Sequence, residues 1–289
     1  MEGIAAAQFG RHKLLHLVRH AQGRHNLEAE KCRDPLTSFE YLDAELSPLG
    51  WQQVRDQRKD VCSSGLVKGI EVVISSPMSR TLQTAVGIFH GDDEEATTVN
   101  GPGIIAHELC RERLGKFECD RRRSISQYQP RFPAVDFSLI ENEDDILWKG
   151  GDLIETHEAV RARAMKFIQW LWGREEKEIA VVSHGVYLQQ AMIELIKNNL
   201  CYPLHNDPLS RFKNCEIRSV FIFNESIIGL GSDAFLMKNT NCGRMGFPYG
   251  TEQSKMKESA KDNASVEGLE VNTDPFLVSS ISYHKHFDI

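Results

Sequence analysis

The sequence has no C-x-x-C pair, and its seven cysteines, at 32, 62, 110, 119, 201, 215 and 242, are odd in number. That argues against a disulfide framework and a zinc site, and favours reduced thiols in a cytoplasmic protein. Long apolar runs are missing: stretches such as 179–182 fall far short of the roughly 20 residues needed to cross a bilayer. Residues 1–10 show no basic segment followed by a long apolar stretch, so no secretory signal is expected. Positive charge is not in excess either. The net charge is -7 at pH 7, which on charge alone weighs against nucleic acid as a partner. No glycine-rich nucleotide loop, metal-ligand cluster or internal repeat is present, so neither a cofactor nor a metal is required.

What is there is an ordinary globular composition. Hydrophobic residues make up 41% and charged residues 26% of 289, which excludes collagen-like, coiled-coil and wholly disordered chains. Residues 12–18 are short, apolar and followed by polar residues, as in a buried strand. Ser47-Pro48-Leu49-Gly50 opens a helix to about Ser63: Ser47 can cap the free amides, and Pro48 loses nothing at the first helical position. A β-branched run at 70–74 predicts a second strand. A helix over 79–89 and a third strand at about 104–109 come next. The clearest helix spans about 155–172, with Val160, Ala164, Phe167, Ile168 and Leu171 in one stripe. A buried strand at 178–182, a helix at 185–197 and an alternating strand at 216–223, expected at a sheet edge, complete the pattern.

Residues 116–150 break the periodicity. They hold Arg121-Arg122-Arg123 and an acidic cluster at 141–145, and read as an insertion with little regular structure lying over a site. Beyond about Gly231 the character changes again. The stretch 251–270 is rich in Lys, Glu, Ser and Asn and cannot bury enough apolar surface to offset its ordering entropy. The expected division is a folded domain at 1–231 and a mostly unstructured tail at 232–289, with Phe276-Leu277-Val278 as a conceivable but disfavoured docking patch. Buried strands alternating with helices predict an α/β fold, a mainly parallel sheet covered by helices on both faces. In such a sheet the ligand site lies beyond the carboxyl ends of the strands.

At those ends the sequence places Arg19-His20-Ala21-Gln22-Gly23-Arg24-His25-Asn26, then Ser75-Ser76-Pro77-Met78-Ser79-Arg80, then Glu108 with Arg111-Glu112-Arg113, and Ser183-His184-Gly185. A lone histidine or arginine at such a position is more often structural. Convergence from separate segments favours chemistry, and the chemistry suits a phosphoryl group. Arginine forks match phosphate oxygens in pairs. A neutral imidazole is a competent nucleophile toward phosphorus, and nearby arginines keep it neutral. A carboxylic acid can then protonate the leaving oxygen.

These motifs resemble those of the histidine phosphatase superfamily, the phosphoglycerate mutase-like proteins. The resemblance rests on Arg19-His20 with Asn26 six residues later, Leu46-Ser47-Pro48-Leu49-Gly50, Ser75-Ser76-Pro77 with Arg80 and Gln83-Thr84-Ala85, and Ser183-His184-Gly185, in the family's order over about residues 12–225. The likeness is greatest to the phosphoglycerate mutase-like branch of plants and fungi. It implies the phosphoglycerate mutase-like fold. It implies His20 as the phosphorylated nucleophile, Arg19 and Arg80 as phosphate-binding arginines and His184 as a second histidine donating to the phosphoryl oxygens. Asn26 would contact phosphate or substrate, with Arg24 and Gln22 as further substrate-binding candidates. The family's acidic residue lies four before a glycine. Glu112 lies three before Gly115 and Glu108 seven before it, so Glu112 is preferred, with a one-residue deletion. Ala21 stands where glycine is common.

The leading expectation is therefore a phosphatase acting on a small-molecule phosphate ester through phosphohistidine, with no cofactor, nucleic acid or membrane partner. A mutase would return the phosphoryl group to a second position, and the region after Gly115 looks unlike an ordered mutase segment. A non-catalytic phospho-ligand binder would be expected to lack His20 or Arg80, and both are present. Arg121-Arg122-Arg123 either reaches the substrate or pairs with the acidic cluster.

Overall fold

The structure, a computed structural model, describes residues 12–30, 41–91, 101–115, 117–150 and 153–223. The tail expected at 232–289, with its 276–278 patch, lies outside the described residues. β1 (His12–Arg19), β2 (Val72–Ser75), β3 (Gly103–Ala106), β4 (Val135–Asp136), β5 (Glu178–Ser183), β6 (Cys201–Pro203) and β7 (Ile217–Phe223) form one sheet in the order β4-β3-β2-β5-β1-β7-β6. The pairs β1–β5, β2–β5, β2–β3 and β3–β4 are parallel, while β7 runs antiparallel to β1 and to β6.

Successive strand residues face opposite sides, and both sides are covered. Leu15, Leu17, Val72, Ile74, Ile179 and Val181 pack against α5 (His157–Trp172) and α6 (Gly185–Lys197). Val18, Val73, Ala180 and Val182 pack with Val54 and Val61 of α2 (Pro48–Ser63) and Leu82, Ala85 and Ile88 of α3 (Ser79–Phe89). Ser47 caps α2, its side chain accepting from the Gly50 amide, with Pro48 in the first turn as expected. α5 starts two residues later than its periodicity suggested, because Thr156 caps it by accepting from Ala159. A short helix, α1 (Arg24–Glu30), comes directly after the β1 loop.

Three expectations change. β7 is not an edge strand: Cys201–Pro203 pairs outside it as β6. A strand of three residues is too short to leave a period in the sequence. β3 ends at Ala106, and the expected continuation to Leu109 turns into a 3₁₀ turn, Glu108–Cys110, capped by the His107 ring accepting from the Leu109 amide. The third change is one of packing: the segment 117–150 has little regular structure, as expected, but it is part of the core. It contains a 3₁₀ turn (Glu118–Asp120), α4 (Ile125–Tyr128) and β4, and it buries Ile125, Tyr128, Phe132, Val135, Phe137 and Ile140 in the same core as Val73 and Leu82. Its apolar anchors are divided among α4, β4 and the stretches between and after them, so no single period reveals them.

Candidate active site

Strand register assembles the centre. β1 and β5 pair with Arg19 opposite Ser183, so the next residues, His20 and His184, leave the sheet side by side. The His20 amide donates to Ser183 O at 2.9 Å, and the two imidazole centroids lie 5.2 Å apart. β2 is the other neighbour of β5, with Ser75 opposite Val182, which puts Ser76 beside His184. His184 Nε2 lies 2.8 Å from Ser76 Oγ, and His184 Nδ1 accepts from Arg80 Nη2 at 3.1 Å.

His20 is oriented by its own loop. Its Nδ1 lies 2.7 Å from Ala21 O. A carbonyl oxygen only accepts, so Nδ1 carries the hydrogen and the Nε2 lone pair of the neutral ring remains available. Burial, then the Arg80 and Arg19 charges, hold the His20 pKa well below the usual imidazole value. The same causes act on His25, whose ring centroid is 5.8 Å from that of His20. His184 is likewise held low by burial and then by Arg80. Three neutral imidazoles thus stand beside two guanidiniums.

The arginines are anchored at their tips. Arg19 Nη1 donates to Phe212 O at 2.7 Å. Its guanidinium lies against Gly185, where a Cβ would come 3.2 Å from Arg19 Nε, so glycine after His184 keeps that approach open. Arg80 is 1% exposed and donates to Cys119 O at 2.6 Å and Asp120 Oδ1 at 2.7 Å. Arg19 Nε, Arg80 Nε and His25 Nδ1 are buried and have no hydrogen-bond partner of their own. Arg111 Nε, Arg123 Nε and Tyr187 Oη share that condition elsewhere, but only here do such atoms stand beside the His20 ring, where they leave hydrogen-bonding capacity for an anionic ligand.

The remaining motif residues buttress the loop. The Gln22 amide oxygen accepts from Ser47 Oγ at 2.7 Å, and the Ser47 amide donates to Gln22 O at 2.8 Å. A Cβ on Gly50 would meet Gln22 O at 2.2 Å, which explains the glycine in that motif. Thr84 Oγ1 accepts from the Ala21 amide, and Gln83 Oε1 from the Leu46 amide. Ala21 is fully buried among Val18, Leu46 and Leu82, so its methyl is accommodated as core. Asn26 Oδ1 accepts from the Gly23 amide at 3.0 Å, closing the loop. Arg24 is exposed at the start of α1.

The two glutamates separate cleanly. Glu108 is occupied by Arg111 at 3.1 Å and Arg122 at 2.6 Å. Glu112 accepts instead from the Arg113, Val186 and Tyr187 amides, at the first turn of α6 directly after His184. Its charge acts on both Arg19 and Asp120. The arginine run is taken up by protein partners, some in its own segment and some, Glu108 and Asp43, outside it. Arg122 bonds the carbonyls of Asn142, Glu143 and Asp144, Arg121 stacks on Trp148, and Arg123 lies 3.5 Å from Asp43. Sequence reasoning raised His25, with Arg24, as a candidate substrate contact without committing to it, and assigned no role to Ser76, Asp120 or Asn214, whose Nδ2 donates to His20 O. His25 carried a signal, since it shares the loop with His20. Asp120 carried none, being joined to Arg80 only through the fold. Among the described residues no cluster of His, Cys, Asp and Glu forms a metal site.

Fold and side chains together define an α/β protein with a buried histidine–arginine centre at the carboxyl ends of its parallel strands. The chain belongs to the histidine phosphatase superfamily, whose branch 1 it matches over residues 15–220. It is 47% identical over 251 residues to the Arabidopsis thaliana protein called phosphoglycerate mutase-like protein 1, covering 80% of this chain and 88% of that one. A second Arabidopsis thaliana phosphoglycerate mutase-like protein is 42% identical over 251 residues, 80% of this chain and 92% of its own. Among solved structures it is similar to a mycobacterial glucosyl-3-phosphoglycerate phosphatase, at 22% identity and a TM-score of 0.44 over 73% of this chain and 91% of that one.

Proposed function

We propose that the protein is a phosphomonoesterase that hydrolyses a small phosphorylated molecule through a phosphohistidine at His20. The observation that carries this reading is the His20 ring: Nδ1 is fixed on Ala21 O, Nε2 keeps its lone pair, and two arginines flank it with unpartnered Nε donors. Nε2 attacks phosphorus, and the bond to the leaving oxygen breaks as Glu112, entering the step in its protonated form, delivers its proton to that oxygen. Arg19 and Arg80 hold the equatorial oxygens, where charge is greatest in the transition state, and His184 orients the Arg80 guanidinium. Water then attacks the phosphohistidine and gives its proton to Glu112, restoring both groups.

The test is chemical. Enzyme quenched in denaturant after mixing with labelled substrate should carry an acid-labile, base-stable phosphoryl group, and His20→Ala should carry none and turn over nothing. A phosphoryl group on another residue, or an active His20→Ala protein, would overturn the reading.

A second reading, isomerisation by phosphoryl return, is favoured by the names of the Arabidopsis relatives. With 3-phosphoglycerate and a bisphosphorylated primer, the expected result is phosphate release or no reaction. Rapid equilibration of the 2- and 3-isomers would reverse the ranking.

A further inference from the structure

We propose that Asp120 is a positioning residue of the phosphoryl site: together with the Cys119 carbonyl it fixes the Arg80 guanidinium beside His184 and so ties the 117–150 segment to catalysis. The inference rests on the reading of Arg80 as a phosphate-binding group.

The geometry is a clamp. A guanidinium has five N–H donors in a rigid fork. Two successive residues of the Glu118–Asp120 turn take one tip each: Cys119 O accepts from Nη1 at 2.6 Å and Asp120 Oδ1 from Nη2 at 2.7 Å. Nη2 also faces His184 Nδ1 at 3.1 Å, and Nε is left without a partner. Both tips being fixed, the plane of the fork is fixed, and with it the direction of the Nε hydrogen. Asp120 is the carboxylate paired with Arg80, and the pair is buried, with side-chain exposures of 1% for the arginine and 9% for the aspartate.

Asp120 is itself held from behind. Its amide donates to Phe117 O, and its carbonyl accepts from Arg111 Nη2 at 2.6 Å. Arg111 in turn makes a two-pronged pair with Asp145 at 2.8 and 2.6 Å. A chain of charges therefore runs from the phosphoryl site through Asp120 and Arg111 to the far end of the 117–150 segment. The groups acting on the Asp120 carboxyl are Arg80 from α3, and Glu112 and Arg111 from the segment after β3. Burial, helped by Glu112, outweighs the two arginines and pushes this carboxyl up to about 6. Above that pH Asp120 is a carboxylate paired with Arg80. Below it the pair becomes a neutral acid beside a cation, and the clamp loosens.

The experiment is a double-mutant cycle in kcat/KM with p-nitrophenyl phosphate, whose good leaving group makes the rate insensitive to the general acid. Arg80→Ala should lose about 10²–10³-fold, as for removal of one transition-state donor. Asp120→Asn, which keeps an acceptor but drops the charge, should lose about 10-fold, in line with a coupling of roughly 1–2 kcal/mol between contacting residues. In the Arg80→Ala background Asp120→Asn should change nothing further, because its effect runs through Arg80. The acid limb expected near pH 6 in the wild type should be displaced in Asp120→Asn. If Asp120→Asn does not fold, Asp120→Glu takes its place in the cycle, with a smaller loss that must again vanish without Arg80. Independent, additive losses, or an Asp120→Asn protein with wild-type kcat/KM and pH profile, would overturn the inference. An Arg80→Ala protein of undiminished activity would overturn the role of Arg80 on which the inference rests, whereas a wild-type protein that hydrolyses no phosphate ester would overturn the phosphatase reading, which keeps the two failures distinct.

Discussion

Two buried arginines in this molecule do opposite things. Arg80, in the strand-end centre, is 1% exposed; Arg122, in the 117–150 segment, is 3% exposed. Arg122 has a partner at every nitrogen: Glu108 at Nε, the Arg123 and Glu143 carbonyls at Nη1, and the Asn142 and Asp144 carbonyls at Nη2. Arg80 is held only at its tips and presents an unpartnered Nε. Burial and charge do not distinguish them. The distribution of partners does: Arg122 has every nitrogen paired, as a staple would, and Arg80 keeps a buried donor beside a neutral imidazole, as the proposed phosphate-binding role requires.

The largest effect expected on the strand-end side is at the nucleophile. His20→Ala should lose activity on the order of 10⁴-fold or more while keeping its melting temperature within a few degrees, because the ring serves chemistry and not the core. Assay and thermal melt of the same preparation check both halves. Next comes the acid. Glu112→Gln should slow hydrolysis of an alkyl phosphate by about 10²–10⁴-fold and cost much less in forming phosphohistidine from p-nitrophenyl phosphate. Glu108→Gln, belonging to the Arg111 and Arg122 pairs, should show no such leaving-group selectivity. If Glu108→Gln shows it and Glu112→Gln does not, the roles of the two carboxylates are the reverse of those proposed.

Staple and binding group should also exchange phenotypes. Arg122→Ala breaks a buried ion pair and should destabilise the fold by about 3–5 kcal/mol while the folded fraction keeps kcat/KM within a few fold. Arg80→Ala should do the reverse, losing rate more than stability. Equal kinetic losses in the two variants would erase the difference between the two arginines.

A smaller effect comes from pH. His107 packs on Trp170 and Phe167, and burial lowers its pKa to about 4. His20, His25 and His184 are lowered as well. A histidine whose folded pKa lies below its unfolded value of about 6.5 contributes stability that is whole above that pH and lost as pH falls toward the folded value. Melting temperature should therefore drop between pH 6.5 and 4, with a shallower slope in His107→Gln. The least expected change is at the α2 cap, where Ser47→Ala should cost about 1 kcal/mol. Gln22 loses its partner in that variant too, so a modest fall in kcat/KM would show that the buttress matters to the loop.

Residues 12–19, 79–89 and 185–197 were legible because their apolar residues form a short continuous run in the first and recur on one helical face in the other two. The strand-end residues were legible for a related reason: once the parallel strands are located, the residues just beyond each of them fall at the carboxyl edge of the sheet. The role of 117–150 was not legible, since Tyr128 from α4, Val135 from β4, and Phe132 and Ile140 from the stretches around them enter the core separately. Nor was the place of β7, which depends on a three-residue neighbour.

The sequence by itself thus determined a doubly covered α/β sheet, the capped start of α2, and a set of histidines, arginines and a glutamate at the strand ends. Only the tertiary structure decided how they meet. The register of Arg19 against Ser183 brings His20 to His184, and the turn at Glu118–Asp120 brings a carboxylate to Arg80 across 40 positions. It also placed the two glutamates differently, giving Glu108 to a pair of arginines and Glu112 to the amides after His184. The physical reason is one of range. Periodicity, capping and turn chemistry act over a few residues and are written locally, whereas the partner a buried charge finds is set by which segments the packed sheet places together.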